Sequence, residues 1–266
     1  MNMSGDLGKR IRSSISDGDI PHFITGKDGR CPLLDENNLC RIIRELGEEN
    51  LCQICADHPR YKNYLSDRVE MGLGMCCEVS AKLILTQVEK SKFVPLNSTD
   101  DITDDADFLE YREGILNILQ DRTLPLDTRI RKLNIDIPNF SFNELFEIYF
   151  NLERLDESWE GSLSYIKDLD CIDENLFKDE KWQTAFEQLT VYFIYRHLHD
   201  GFCDFREDSI ISFAIVSAKL LAGICTGFYK KHGKLSLDDF IGFAREYSAE
   251  IEYSDENMEK LFETAS

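Results

Sequence analysis

Six of the nine cysteines lie between Cys31 and Cys77, and their spacing is the strongest chemical signal in the chain. Cys52-Gln-Ile-Cys55 leaves two residues between thiolates, so a tight turn can bring both sulfurs onto one metal. The run from Cys31 to Cys40 resembles a loop that returns on itself, with Asp35 to Asn38 at its tip. Cys76-Cys77 begins a helix carrying Val79, Leu83 and Ile84. Neighbouring helical residues do not share a face, so one of that pair can point at a metal while the other points elsewhere. A sequence without a signal peptide is expected in the cytosol, where structural disulfides are unusual. Clustered cysteines there read as a metal site. Zinc and iron–sulfur clusters both take four thiolates. The second Cys-x-x-Cys or His pair of a zinc finger is missing, and His58 is followed by Pro59; the irregular spacing leaves both open, with a narrow preference for iron–sulfur that leans partly on the resemblance given below. Cys171, Cys203 and Cys225 stand singly among apolar helix positions and read as buried free cysteines of the core.

Arg60 follows the Cys52–Cys55 pair closely. A guanidinium near thiolates would stabilise their charge and could hold a carboxylate, such as the amino-acid end of a cofactor; the plain alternative is a surface arginine on a turn. Glu70 and Glu78 flank the last two clustered cysteines and read by default as solvated acids.

The elements that must carry these residues are helical. Proline and glycine are sparse, at six and fifteen, and 42% of residues are hydrophobic, which is a folding composition. Apolar residues recur at helical spacing over 107–120, 181–199 and 209–229, and a short helix starts at Leu124-Pro125-Leu126-Asp127. Ser141-Phe-Asn-Glu144 is a capping-box pattern, Ser236-Leu-Asp-Asp239 starts another helix, and Ser254 opens a last one. Gly233 after Lys230, Lys231 and His232 marks a helix end. Strands are expected only near Asp67 to Met75. The fold class is therefore mainly α: a cysteine-rich metal-binding part over 1–90 with short irregular or β elements, then an α-helical bundle over 91–266. Asp100, Asp101, Asp104, Asp105 and Asp107 read as a solvated loop or helix start, since a calcium loop would need a glycine and a terminal glutamate they lack. No apolar run is expected to span a bilayer. A formal charge of −20 repels phosphate backbones and argues against nucleic acid as a partner.

The order Cys31-Pro-Leu-Leu-Asp35, Leu39-Cys40-Arg-Ile, Glu45-Leu-Gly-Glu-Glu, Leu51-Cys52-Gln-Ile-Cys55 and Pro59-Arg60 resembles the flagellin lysine-N-methylase family. Glu70, Leu73, Cys76-x-Glu78 and Leu83-Ile-Leu85 continue the likeness, and Tyr192-Phe-Ile-Tyr-Arg196-His197 resembles a later segment of the same family. The resemblance implies methyl transfer from S-adenosylmethionine to lysines of flagellin or another lysine-bearing protein, with a cysteine-ligated iron–sulfur cluster. By position it implies Cys31, Cys40, Cys52, Cys55 and Cys76 as ligands; Cys77 stands where the family usually has proline. Family members carry a further cysteine-rich segment upstream, whereas residues 1–30 here hold no cysteine. In such a reaction Glu70 or Glu78 could orient or deprotonate the lysine. Tyr61, Tyr64, Tyr192 and Tyr195 offer aromatic faces to a sulfonium or a methylated ammonium, or else simply pack. No glycine-rich dinucleotide turn is present, so the methyl donor rests on the resemblance. The competing readings are a non-catalytic zinc- or iron-binding adaptor and a redox sensor built on Cys76-Cys77.

Overall fold

A computed structural model describes residues 5–17, 22–26, 29–96, 105–204 and 206–266. The chain divides into two compact units, Met1–His58 and Pro59–Ser266.

Among its described residues the first unit contains three short helices, α1 (Asp6–Ser13), α2 (Arg41–Leu46) and α3 (Gln53–Asp57), with a 3-10 turn at Glu48–Asn50. The loop between Cys31 and Cys40 does return on itself. Leu34 bridges Cys40, and the Asp35 carboxylate accepts the Asn37 and Leu39 amides at 2.8 and 3.0 Å. Asn38 takes a left-handed φ of 63° at the tip, a conformation its short polar side chain tolerates. Arg10 Nε donates to the Pro32 carbonyl at 2.6 Å, and Arg44 pairs with Asp35. Among the described residues, the only buried apolar side chains in this unit are Leu7, Leu33 and Ile42.

The second unit opens with an antiparallel hairpin of β1 (Arg60–Tyr64) and β2 (Val69–Leu73), which pairs Tyr61 with Gly72. Then follow α4 (Glu78–Leu85), α5 (Ala106–Leu119), α6 (Leu126–Lys132), α7 (Phe142–Phe150), α8 (Trp159–Leu163), α9 (Glu180–Cys203), α10 (Glu207–His232), α11 (Leu237–Ile251) and α12 (Asp255–Thr264). The long α9 and α10 pack together at the centre, and α4 lies against α9 and α11. The expected caps form: Ser141 with Glu144 and Ser236 with Asp239 make capping boxes, Ser254 accepts the Asn257 amide, and Gly233 ends α10 at φ 72°.

The cysteine chemistry divides the chain near residue 90, whereas 59–90 packs with the helical unit. The strand expected near 67–75 is Val69–Leu73, and its partner Arg60–Tyr64 carries no clean alternation that would announce it. Helix α4 turns Val79 and Leu83 outward, at 67% and 57% exposure, and buries Ser80, Ala81 and Leu85. Helix α10 is also long and apolar enough to cross a bilayer, contrary to the expectation that no run is; 78% of its apolar window is buried, because it is the core helix of the unit. Residues 97–104, with Asp100, Asp101 and Asp104, lie outside the described residues.

A buried ion-pair network holds α6 to α9. Glu187 is fully buried, accepting Arg129 Nη1 at 2.5 Å and Arg122 Nη2 at 2.8 Å, while Arg129 also donates to the Leu119 carbonyl. Removing one partner strands the other charges away from water. Glu187→Ala is expected to lower stability by about 3–5 kcal/mol, read from urea unfolding, and Glu187→Leu combined with Arg129→Met should lose clearly less.

Candidate functional site: an aromatic groove and a cysteine cluster

Between the hairpin, α4 and α9 lies a groove of 330 Å³. Its walls are aromatic and aliphatic, from Tyr61, Phe93, Tyr192 and Tyr195 on one hand and Met71, Leu73, Ile84 and Val191 on the other. The hairpin supplies Tyr61 because its cross-strand partner is Gly72. A β-carbon at Gly72 would sit 2.3 Å from the Tyr61 ring and hydroxyl, so only glycine lets the phenol lie flat across the strand. Tyr61 is largely buried, and its hydroxyl makes no hydrogen bond among the described residues. Burial, with Glu252 and Glu70 adding to it and Arg196 and Arg112 opposing, raises its pKa and keeps the phenol neutral.

The fourth side of the groove is irregular chain, held down by glutamines. Gln188, buried within α9, donates to the Glu89 and Gln87 carbonyls at 2.8 and 3.1 Å and accepts from Ser91 Oγ at 2.7 Å. Gln120 at the end of α5 donates to the Ser91 carbonyl. Side chains thus satisfy backbone groups that no sheet or helix would pair.

Two arginine–carboxylate pairs underlie the walls. Arg112 makes a fork to Glu70 at 2.6 and 2.7 Å, both buried, and its guanidinium stacks 4.5 Å from the Phe93 centroid and 5.5 Å from that of Tyr195. Glu70 is therefore neither solvated nor free to serve a lysine, which corrects both sequence expectations for it; Glu78 is exposed at the start of α4. The second pair is Arg196 with Glu252, 3.3 Å apart. Tyr192 Oη donates to Glu252 at 2.9 Å, accepts from Arg196 at 2.6 Å, and also accepts the Met75 amide. His197 Nε2 donates to Glu252 at 2.7 Å. Tyr61, Tyr192 and Tyr253 surround the Arg196 guanidinium at 5.3–5.9 Å. Burial raises the Glu252 pKa less than Arg196 and His197 lower it, so it is held below the usual carboxylate range. Tyr64, by contrast, is 68% exposed and stands outside the groove.

The sequence-derived cysteines separate by unit. In the first unit, partial burial and then the neighbouring thiols of Cys52, Cys31 and Cys40 push the Cys55 thiol up to about 11, so Cys55 lies within electrostatic reach of the other three. Among the described residues, no three His, Cys, Asp or Glu side chains stand arranged to hold a metal ion. Four thiols in a unit whose described residues bury three apolar side chains would nevertheless suit a thiolate-bound metal, because so small a core would gain from a cross-link. Cys76 belongs to the second unit, where its thiol donates to Tyr253 Oη at 2.8 Å; burial raises its pKa against the opposing effects of Tyr253 and Arg196. The Cys77 thiol is partly buried, yet hydrogen bonds from Ser80 and Val79 pull it below its ordinary value. Arg60 opens β1 and is exposed. Cys225 is buried, whereas Cys171 and Cys203 are exposed, which corrects their reading as core cysteines.

Residues 130–266 match the family described as FliB lysine N-methylase C-terminal domain, a span that holds α9, α11, Arg196 and Glu252. The chain belongs to the FliB lysine N-methylase family. It is 35% identical over 57 residues to the flagellar biosynthetic protein FliU of Salmonella muenchen, which covers 21% of this chain and 34% of that relative. The same identity over 57 residues relates it to the lysine-N-methylase of Salmonella typhimurium, covering 14% of that protein. The chain thus spans well under half the length of these relatives in the matched region. No solved structure matches it. Within this FliB-family chain, sequence reasoning missed Arg112, Phe93 and Gln188, and above all Glu252 and Tyr253. The last two follow α11 with no motif around them, and only the Arg196-His197 pair hinted that a buried acid must exist to meet them.

The network carries a pH signature. His197 is enclosed by Phe193, Phe213 and Phe262, and burial pulls its pKa down from the ordinary 6.5 despite the Glu252 bond. Below that pH the unfolded chain binds a proton that the folded one refuses, so stability present above 6.5 is lost as pH falls. The Glu252 contribution, present above its unfolded value, is lost at lower pH still. His197→Gln is expected to flatten the decline in urea midpoint between about pH 6.5 and 5.

Proposed function

We propose that this chain acts in N-methylation of protein lysines, with flagellin as acceptor and S-adenosylmethionine as methyl donor, and that it carries a cysteine-held iron–sulfur cluster. Membership of the FliB lysine N-methylase family across 130–266 is the observation that carries this reading. Cys31, Cys40, Cys52 and Cys55 would hold the cluster, which supplies positive charge to their thiolates and a cross-link to the first unit. Cys76 is left out of the proposed ligand set because Tyr253 and the Arg196 cage already engage its thiol.

The donor supplies an electrophilic methyl on sulfur. The acceptor must present a neutral amine: its lone pair forms the N–C bond, the C–S electron pair stays with the leaving thioether, and the surplus N–H proton goes to water. The groove's aromatic and aliphatic walls suit that demand by excluding water from the amine, and its paired acids keep local charge near balance.

Two measurements test the reading. Anaerobically purified protein should be brown, contain iron and sulfide, and lose both when Cys52 and Cys55 are replaced by serine. Colourless protein with stoichiometric zinc would instead favour the metal-binding adaptor. Incubated with flagellin and S-adenosylmethionine, the metal-replete full chain should add methyl groups to lysines by mass spectrometry. No mass gain over a donor-free control would overturn the enzymatic reading.

A further inference from the structure

The groove of the second unit combines three features that the proposed activity does not by itself require. Among the described residues its lining contains no aspartate or glutamate, and the one ionisable cation among them is Lys92. The two acids that act on Tyr61 from behind the walls, Glu70 and Glu252, are each bound by an arginine. Tyr61 presents a hydroxyl without a hydrogen-bond partner among the described residues, on a ring that Gly72 alone admits.

We propose that this groove is the slot for the acceptor lysine, with the aliphatic chain along Met71, Leu73 and Val191 and the amine beside Tyr61 Oη. This rests on the lysine-methylating reading above, and it assigns residues to a role that reading leaves open. The charge arrangement supports it. A chain of net charge −20 draws cationic lysines to its surface. Inside the groove, no carboxylate among the described residues is free to stabilise an ammonium, and Lys92 opposes it. Desolvation then drives the proton off, leaving the neutral amine that methyl transfer needs. The raised pKa of Tyr61 keeps its oxygen protonated, so it accepts an N–H from the amine without taking the proton, and the nitrogen lone pair stays free. Aromatic walls also tolerate the cationic product, which can leave without meeting a fixed countercharge.

Two substitutions probe the slot with little other change. Tyr61→Phe removes only the hydroxyl. Gly72→Ala sets a methyl where the phenol lies, at a backbone conformation that any residue adopts, and displaces the ring. The probe is Nα-acetyl-lysine N-methylamide labelled with carbon-13 at Cε, observed by NMR with the full chain, and circular dichroism checks that each variant is folded. The wild-type chain should bind the probe and lower the pH at which its amine titrates. Tyr61→Phe should weaken binding by about fivefold to tenfold, and Gly72→Ala should weaken it further. Failure of the wild type to bind, equal binding by both folded variants, or a bound amine titrating as in free lysine would overturn the proposal. A methyl-transfer assay separates its failure from that of the activity. Lysine binding without transfer leaves the slot standing and sinks the enzymatic reading. Transfer at wild-type kcat/KM by both variants does the reverse.

Discussion

The second unit is organised around one buried carboxylate. Glu252 takes hydrogen bonds from Tyr192 and His197 and an ion pair from Arg196, so α9 is locked to the end of α11. Through Tyr192 the same cluster reaches the Met75 amide and fixes the turn after the hairpin. A charge so deeply placed is tolerated only when fully met, and each partner here also meets another group. The position of β1 and β2, and with it the groove, depends on that closure.

The hairpin shows how the constraint passes outward. Gly72 accepts the Tyr61 ring, the ring lies near the Arg196 guanidinium, and the guanidinium is held by Glu252. On the other flank, Arg112 links Glu70 of β2 to α5 and stacks under Phe93. Two ion pairs thus clamp a two-stranded sheet that would be marginal by itself. The first unit has no comparable device among its described residues; its short helices are joined by turn hydrogen bonds and surface pairs.

Much of the helical frame was legible in the sequence, because caps and helical periodicity are local. Ser141, Ser236, Ser254 and Gly233 each stand where their side chains or backbone demand. The site was legible only in fragments. Tyr61, Tyr192 and Tyr195 could be named, but nothing local brings residues so far apart in the chain to one wall. Glu70 reads as a surface acid until Arg112 is placed beside it. The outward turn of Val79 and Leu83 was likewise hidden, since helix propensity fixes a period and leaves to tertiary packing which stripe is buried.

The pairing of both carboxylates behind the groove has a consequence for selectivity. A lysine can enter a desolvated slot by giving up its proton, but an arginine cannot, because its guanidinium stays charged at any pH a protein meets. A pocket with a free acid would welcome both. By binding Glu70 and Glu252 to its own arginines, the fold uses up the countercharges an incoming arginine would need. In the proposed lysine slot, discrimination would come from what the protein has already neutralised, with no contact dedicated to recognising the rejected side chain.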